Sequence, residues 1–401
     1  MSRINIPWSA KHKRVTKHGN SSIVPYNLSN SFAEPLTSKE LIEWTKQRQD
    51  QQLLDLYNEH SLKYTPNGGS ADLKHDIATL YDDGTKAEDI LVFAGGQVAI
   101  QTAAFAICNP DSHAIVLTPS YQSLQEGPKA AGSQVSYIQL TAQNGWKVDP
   151  DDIEKSIIPN KTNYIVLNEP YNPAGTLMTR DVQKQIIEIA SRHKIFILCD
   201  EVYRLLEHDP GHDRLPAMCD AYPHYGLSVV TMSKPWGACG VTIGWIACRS
   251  NPELHEKLAD AQYFGTACPS RASEIQAMMV LRASETILQR NIAIIRQNVQ
   301  LLKDFMDRNQ DVFEWIPPTA GAIAFVKFKG PMTTEEFGTL LIEKAGIGVK
   351  PAYCFSGQDV VTTKEDVDYF RVGYGESCIP DAISKLQEFV DEHRDEWVTV
   401  S

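Results

Sequence analysis

The sequence predicts an α/β fold, a largely parallel sheet with helices on both faces, accompanied by a smaller α+β unit. Three observations carry this expectation. Between about residues 90 and 250, short apolar runs rich in β-branched residues alternate with helical patterns. After about residue 285 that alternation gives way to a long helical stretch and then to strand-like pieces. No internal repeat, low-complexity tract or Gly/Ser linker breaks the chain.

The runs, in order, are ILVF (90–93), AIVLT (114–118), VSYI (135–138), YIVLN (164–168), FILCD (196–200), VVTM (229–232) and IGWIAC (243–248). Each is strand-sized and apolar at consecutive positions, which suits strands covered on both faces. Helical patterns lie between them. In residues 182–192, Val182, Ile186, Ile187, Ile189 and Ala190 mark one side. Strands alternating with helices argue for a parallel sheet, because each parallel connection must cross over a face. Further on, NIAIIRQNVQLLKDFM (291–306) has apolar residues at three- and four-residue spacings, AIAFVKF (322–328) and DYFRVGYG (368–375) read as strands, and PDAISKLQEFVDEH (380–393) reads as a closing helix. The large unit is expected over 60–290 and the small one over 1–59 and 291–401. The first sixty residues join the small unit because nothing in them forms a core alone.

With 401 residues, 42% hydrophobic and 22% charged, the chain has the balance of an ordinary globular enzyme. Its net charge of −12 offers no general field for nucleic acid or anionic lipid, so neither partner is expected. No stretch approaches the roughly 20 apolar residues of a membrane helix. The first residues carry charge without a following apolar block, which is not the form of a secretory signal. The basic cluster Lys11–Lys17 reads as a solvated arm. The eight cysteines, Cys108, Cys199, Cys219, Cys239, Cys248, Cys268, Cys354 and Cys378, form no C-x-x-C pair and no zinc spacing with histidine. They read as reduced, mostly buried thiols of a cytoplasmic protein, with no metal site.

Four places carry chemistry. Ser233-Lys234 closes the run VVTM and precedes a loop of small residues, PWGACG. A lysine there can be desolvated, and desolvation favours the neutral amine that attacks a carbonyl. Asp200-Glu201-x-Tyr203 ends the run FILCD, where ligands of parallel sheets collect. Asp200 either caps a helix or pairs with a protonated ring nitrogen. Asn168-Glu169-Pro170-Tyr171-Asn172-Pro173-Ala174-Gly175 follows YIVLN. Its prolines and glycine make a rigid turn, which is either only a turn or a mount for the Asn172 amide. Gly95-Gly96-Gln97 lies between ILVF and a helix beginning near Val98, a placement that offers backbone N–H groups and a helix dipole to phosphate.

The order GGQ, TPSYQSL, NEPYNPAG, CDEVY and SK-x5-G-x3-GW resembles the class I/II aminotransferases of pyridoxal-phosphate (PLP) fold type I, over most of the chain. The resemblance implies a mainly parallel seven-stranded sheet in the large domain, a small α+β domain, and a homodimer with shared active sites. It implies PLP as cofactor, an α-amino acid as substrate and a 2-oxo acid as co-substrate. Lys234 would form the internal imine and shuttle the proton, and Asp200 would hold the pyridine nitrogen. Asn172 and Tyr203 would bond the phenolate oxygen, and Tyr121 would stack on the ring. Gly95, Gly96 and Gln97 would meet the phosphate with Thr231 and Ser233, and Tyr64, in YTPNGG, would reach the phosphate of the partner subunit. Arg371, in YFRVGYG, would anchor the substrate carboxylate through its flat fork of donors, with Asn172 beside it.

The chain departs from that pattern in three places. Thr242 stands eight positions after Lys234, where the family has a basic residue that helps neutralise the phosphate; Arg271 is a candidate replacement. PAYCFSG stands where PGxxFG is common, and the segment Tyr26–Phe32 has no assignment. The same early chemistry, an external imine and a quinonoid, serves transamination and also elimination, cyclisation and oxidation. Transamination is the expected reaction, with a lyase, cyclase or oxidase acting on arginine or a derivative as the alternative. Among acidic residues, Glu34 is a candidate reader of the substrate side chain.

Overall fold

The computed structural model describes residues 24–266, 268–356 and 368–398, so the cluster Lys11–Lys17 lies outside it. A two-residue strand, β1 (Tyr26–Asn27), is followed by seven strands that form one sheet. These are β2 (Ile90–Phe93), β3 (His113–Thr118), β4 (Gln134–Gln139), β5 (Thr162–Asn168), β6 (Phe196–Asp200), β7 (Gly226–Thr231) and β8 (Gly244–Cys248). They coincide with the seven apolar runs. The order across the sheet is β2-β8-β7-β6-β5-β3-β4. β4, β3, β5, β6 and β7 are mutually parallel, and β8 runs antiparallel to both β7 and β2.

The central runs are apolar at consecutive positions because the sheet there is covered on both faces, whereas the edge strand β4 is only partly buried. Ile90 and Val92 pack into one core with Val230, Trp245 and Ala247, while Leu91 and Phe93 pack into another with Val229 and Ile246. Successive side chains point to opposite faces, so a strand between two helical layers needs apolar residues at both parities. The helix expected at 182–192 spans Arg180–His193. Thr179 accepts from the Val182 N–H at its start, and Lys194 ends it in the left-handed region at φ 54°.

The second sheet contains β9 (Phe313–Trp315), β10 (Ile323–Phe328), β12 (Lys350–Pro351) and β13 (Tyr369–Gly373), in the antiparallel order β12-β13-β10-β9. Between β10 and β12, β11 (Ile347–Gly348) pairs in parallel with β1. Helices Ser284–Arg308 and Ile379–Val398 cover the second sheet, with Leu302, Phe305, Leu386, Phe389 and Trp397 in one core with Phe328 and Phe370.

The segment expected to join the small unit is shared between both cores. Leu28 and Ala33 pack with the second sheet, whereas Leu41, Leu53 and Leu54, on helices Ser38–Gln47 and Gln51–Glu59, pack beneath β2, β7 and β8. Those helices are amphipathic, and the apolar surface they need is the flank of helix Arg271–Arg282. The chain between the two cores acts as a strap. Ala33 and Leu36 donate their N–H groups to the carbonyls of Lys234 and Gly237 at 3.0 and 3.1 Å, and Leu28 accepts from the Gly373 N–H at 2.7 Å. All eight cysteines are free, and five of them are buried. No helix among the described residues is long and apolar enough to cross a membrane.

Candidate active site

Parallel strands that share a direction end at a common edge, and here Thr118, Asn168, Asp200 and Thr231 mark it. The register places Gly244, the start of β8, opposite both Thr231 and Phe93, so β2 ends at this edge too. A cavity of about 510 Å³ opens there, between the large sheet, the face of β12 and β13, and residue Ser31 of the strap. Eleven of the twelve site residues expected from sequence line it: Gly95, Gly96 and Gln97; Tyr121 and Asn172; Asp200 and Tyr203; Thr231, Ser233 and Lys234; and Arg371. The twelfth, Tyr64, is 93% exposed and lies outside the lining.

Lys234 follows β7 by three residues, and its Nζ donates to Ser31 Oγ at 2.7 Å. Burial, reinforced by the Arg371 guanidinium, lowers its ammonium to about 8, against the opposing pull of Cys239 and Asp200. Asp200, the last residue of β6, is buried, and its Oδ1 has no hydrogen-bond partner among the described residues. Burial raises its carboxyl to about 7, against the Val202 N–H and Lys234, which lower it. The helix-cap reading of Asp200 therefore leaves one oxygen unexplained. Tyr203 is fully buried, and burial raises its phenol although Arg371 and Ser31 favour the ionised form.

Asn172 is held at both ends. Its N–H donates to Asn168 Oδ1 at 2.6 Å, and its Oδ1 accepts from Arg371 Nη1 at 3.0 Å. Arg371 is buried in β13, far from the surface role that an arginine on a strand usually has. Its Nη2 donates to the Ser29 carbonyl at 2.7 Å, its Nε has no partner among the described residues, and its guanidinium lies 5.0 Å from the centre of the Phe355 ring. Every acceptor it meets is neutral. The fork is oriented with no carboxylate on it among the described residues.

At the other end of the cavity, helix Gly96–Ile107 points its N-terminus inward. Gly95 enters it at φ 100°, which suits glycine. A Cβ at Gly244 would fall 2.5 Å from the Gly96 nitrogen, so a glycine at the start of β8 lets the helix end sit directly against the sheet. Thr231 and Ser233 place their hydroxyls 3.2 Å apart on the same side, and Tyr121 donates to Gln97 Oε1 at 3.4 Å. Thr242 also lines the cavity, with its hydroxyl on the Gly240 carbonyl. The suggested replacement cation, Arg271, is elsewhere: it pairs with the buried Glu274 at 3.0 Å. Glu34 is outside the lining as well, and its carboxylate caps Ser377.

Sequence reasoning missed Ser31, Lys350 and Cys239, all in the lining. Ser31 belongs to the segment that had no assignment, and nothing local marks a serine 203 residues away as a partner of Lys234. Cys239 Sγ donates to the Ser233 carbonyl at 3.4 Å. Lys350 had one signal available, its position directly after the apolar Gly348–Val349 pair and directly before Pro351.

The lining thus combines an unpaired carboxylate, a lysine with a weakened ammonium, a helix N-terminus flanked by hydroxyls, and an arginine fork. This donor set fits PLP: a carboxylate for the ring nitrogen, an amine for the aldehyde, and N–H and O–H groups for the phosphate.

The sequence profile of the family described as aminotransferase class I and II matches residues 27–372. Over 351 residues the chain is 24% identical to an aspartate aminotransferase of Bacillus subtilis, covering 84% of this chain and 86% of that one. It is also 24% identical over 349 residues to a tyrosine aminotransferase of Bos taurus, covering 82% and 74%. Among solved structures, a PLP-dependent aminotransferase from Streptococcus suis superimposes with a TM-score of 0.86 at 27% identity, covering 96% of this chain and 98% of that one.

Proposed function

The chain belongs to the class I and II aminotransferases, and from that membership we propose that its cavity moves an amino group from an α-amino acid to a 2-oxo acid with PLP as cofactor. The observation that carries the reading is the unpartnered Oδ1 of buried Asp200, facing the same cavity as Lys234. An uncompensated buried carboxylate is costly, and a cationic ring nitrogen is the partner that removes the cost. The relatives named above are all aminotransferases, which favours amino transfer over elimination, cyclisation or oxidation.

When bound, PLP supplies an electron-poor ring that stabilises negative charge at the substrate Cα. The protein does the rest. Lys234 Nζ would hold the cofactor, and as a free amine it would be the base placed to accept the substrate Cα proton. With its ammonium at about 8, a useful fraction is unprotonated near neutral pH. Asp200 keeps the ring nitrogen protonated by supplying the opposite charge. Asn172 and Tyr203 donate to the ring oxygen, and Tyr121 covers the ring face. Gly95, Gly96 and Gln97 present the helix N-terminus to the phosphate, with the hydroxyls of Thr231 and Ser233 beside it. Arg371 grips the α-carboxylate in two parallel hydrogen bonds, while the Asn172 contact keeps the fork in plane.

A homodimer with shared sites completes this reading. Tyr64, at 93% exposure, is free to reach the partner's phosphate, and Leu62 and Phe264 are exposed at 95% and 86%. Eight free thiols accord with a cytoplasmic setting.

The decisive experiment mixes the PLP-loaded protein with single amino acids and no 2-oxo acid. One equivalent of the matching 2-oxo acid per site, with loss of the cofactor's visible band and its return on adding a second 2-oxo acid, is expected. Release of ammonia, or a protein that takes up no PLP, would sink the reading.

A further inference from the structure

Lys350 lines the cavity and has no part in the roles above. It opens β12 and stands directly opposite Arg371 in antiparallel register. Its neighbour Val349 is buried in the core of the second sheet, and strand alternation sends Lys350 the other way, into the cavity. Residues paired directly across an antiparallel ladder project from one face, so the two cations emerge side by side. They share one platform: the Arg371 guanidinium carbon and Lys350 Nζ lie 5.0 and 5.3 Å from the centre of the Phe355 ring. No ion pair among the described residues involves either group.

Two partly desolvated cations in contact with one ring repel each other and have each given up water. Burial first, and Arg371 second, hold the Lys350 ammonium down to about 7. A ligand with one carboxylate fills the fork of Arg371 and leaves Lys350 unmatched. The phosphate end of the cavity does not supply the missing charge, because its donors come from the end of β7, the residues just after it and helix Gly96–Ile107, on the opposite wall. A second carboxylate on the same substrate would.

We propose that Lys350 anchors a carboxylate at the end of the substrate's side chain, so that this site takes dicarboxylic amino acids and their 2-oxo acids, with Arg371 on the α-carboxylate and Lys350 on the distal one. The assignment rests on the reading of Arg371 given under the proposed function. It makes Lys350 the residue that sets side-chain specificity, from a position where a lysine on a two-residue strand would otherwise pass as a solubilising charge.

The test needs no turnover. The PLP-loaded enzyme is titrated calorimetrically with succinate, a non-reacting dicarboxylate, and with propionate, its monocarboxylate counterpart. Succinate should bind at least about tenfold tighter, the size of one desolvated charge-assisted contact. Lys350→Met should remove about tenfold of succinate affinity and leave propionate within about twofold. Equal affinities in the unaltered enzyme overturn the assignment, as does an equal loss for both ligands in Lys350→Met. Should that variant not fold, the comparison in the unaltered enzyme decides alone. If succinate is preferred but no amino acid is transaminated, the reaction reading fails and the subsite stands. If monocarboxylic amino acids are transaminated with no preference for succinate, the subsite alone fails.

Discussion

The two walls of the cavity differ in charge pattern and in construction. The wall built on β2–β8 mixes signs: a carboxylate, Asp200, with no partner among the described residues, stands beside the Lys234 amine and the positive end of a helix. The wall built on β12, β13 and the strap presents two unpaired cations, Arg371 and Lys350. On the first wall, each functional residue lies within a few positions of the end of a parallel strand, and the chain returns to that edge after every crossover. On the second, the residues project from the face of an antiparallel sheet and are steadied by groups far away in the chain. Ser29 holds Arg371 across 342 residues. The first arrangement places a cofactor once, with its groups fixed by strand ends. The second can change its side chains without disturbing the strand ends, which suits a surface that reads substrate.

Substitutions at four residues test that division, from the largest expected effect to the smallest. Lys234→Ala removes the covalent hold and the proton carrier together. Steady-state amino transfer should fall at least about a thousandfold, and borohydride should no longer fix cofactor to the protein. If activity survives, the first wall does not contain the reacting amine.

Asp200→Ala should weaken PLP retention, measured by dialysis, by about a hundredfold or more, as expected for one partner lost from a buried pair. A pH dependence accompanies it. The folded protein raises the Asp200 carboxyl from 3.8 to about 7, mainly by burial. Its protonated form is therefore favoured in the fold. That contribution to the stability of the cofactor-free protein is full below 3.8 and is lost as pH rises to about 7. Glu201, raised to about 7, and Glu169, raised to about 8, act in the same direction. Asp200→Asn should make Tm of the cofactor-free protein fall less steeply across that window. An unchanged slope would mean that Asp200 is not desolvated.

Arg371→Ala belongs to the other wall. It should raise KM for the amino acid about 10- to 100-fold while the cofactor's absorbance stays as it was. A simultaneous loss of cofactor would erase the distinction between the walls. Ser31→Ala is the mildest. Losing its bond to Lys234 should lower kcat about fivefold and shift the pH profile of the lysine, with KM nearly unchanged.

The same division explains what was legible in the sequence. Asp200, Asn172, Lys234 and Gly95 stand beside apolar runs whose length and parity already identify buried parallel strands, so their place at one edge follows from the pattern. Arg371 needed the resemblance, because a lone arginine in YFRVGYG carries no local sign of burial. Ser31 was not legible at all, and Lys350 only through its place between Val349 and Pro351. One gains its meaning from a bond to a residue 203 positions away, the other from a register on a two-residue strand. The lack of a core of their own in the early residues does not say which core they join: among the described ones, Leu28 packs with the second sheet and Leu53 beneath the first.

The strap has a consequence in time. Residues 28–36 precede by about two hundred residues or more the groups they bond, Lys234, Gly237 and Gly373. The groove can close over its lysine only after β13 is in place, so the stretch that finishes the pocket is made before its partners and seated after them.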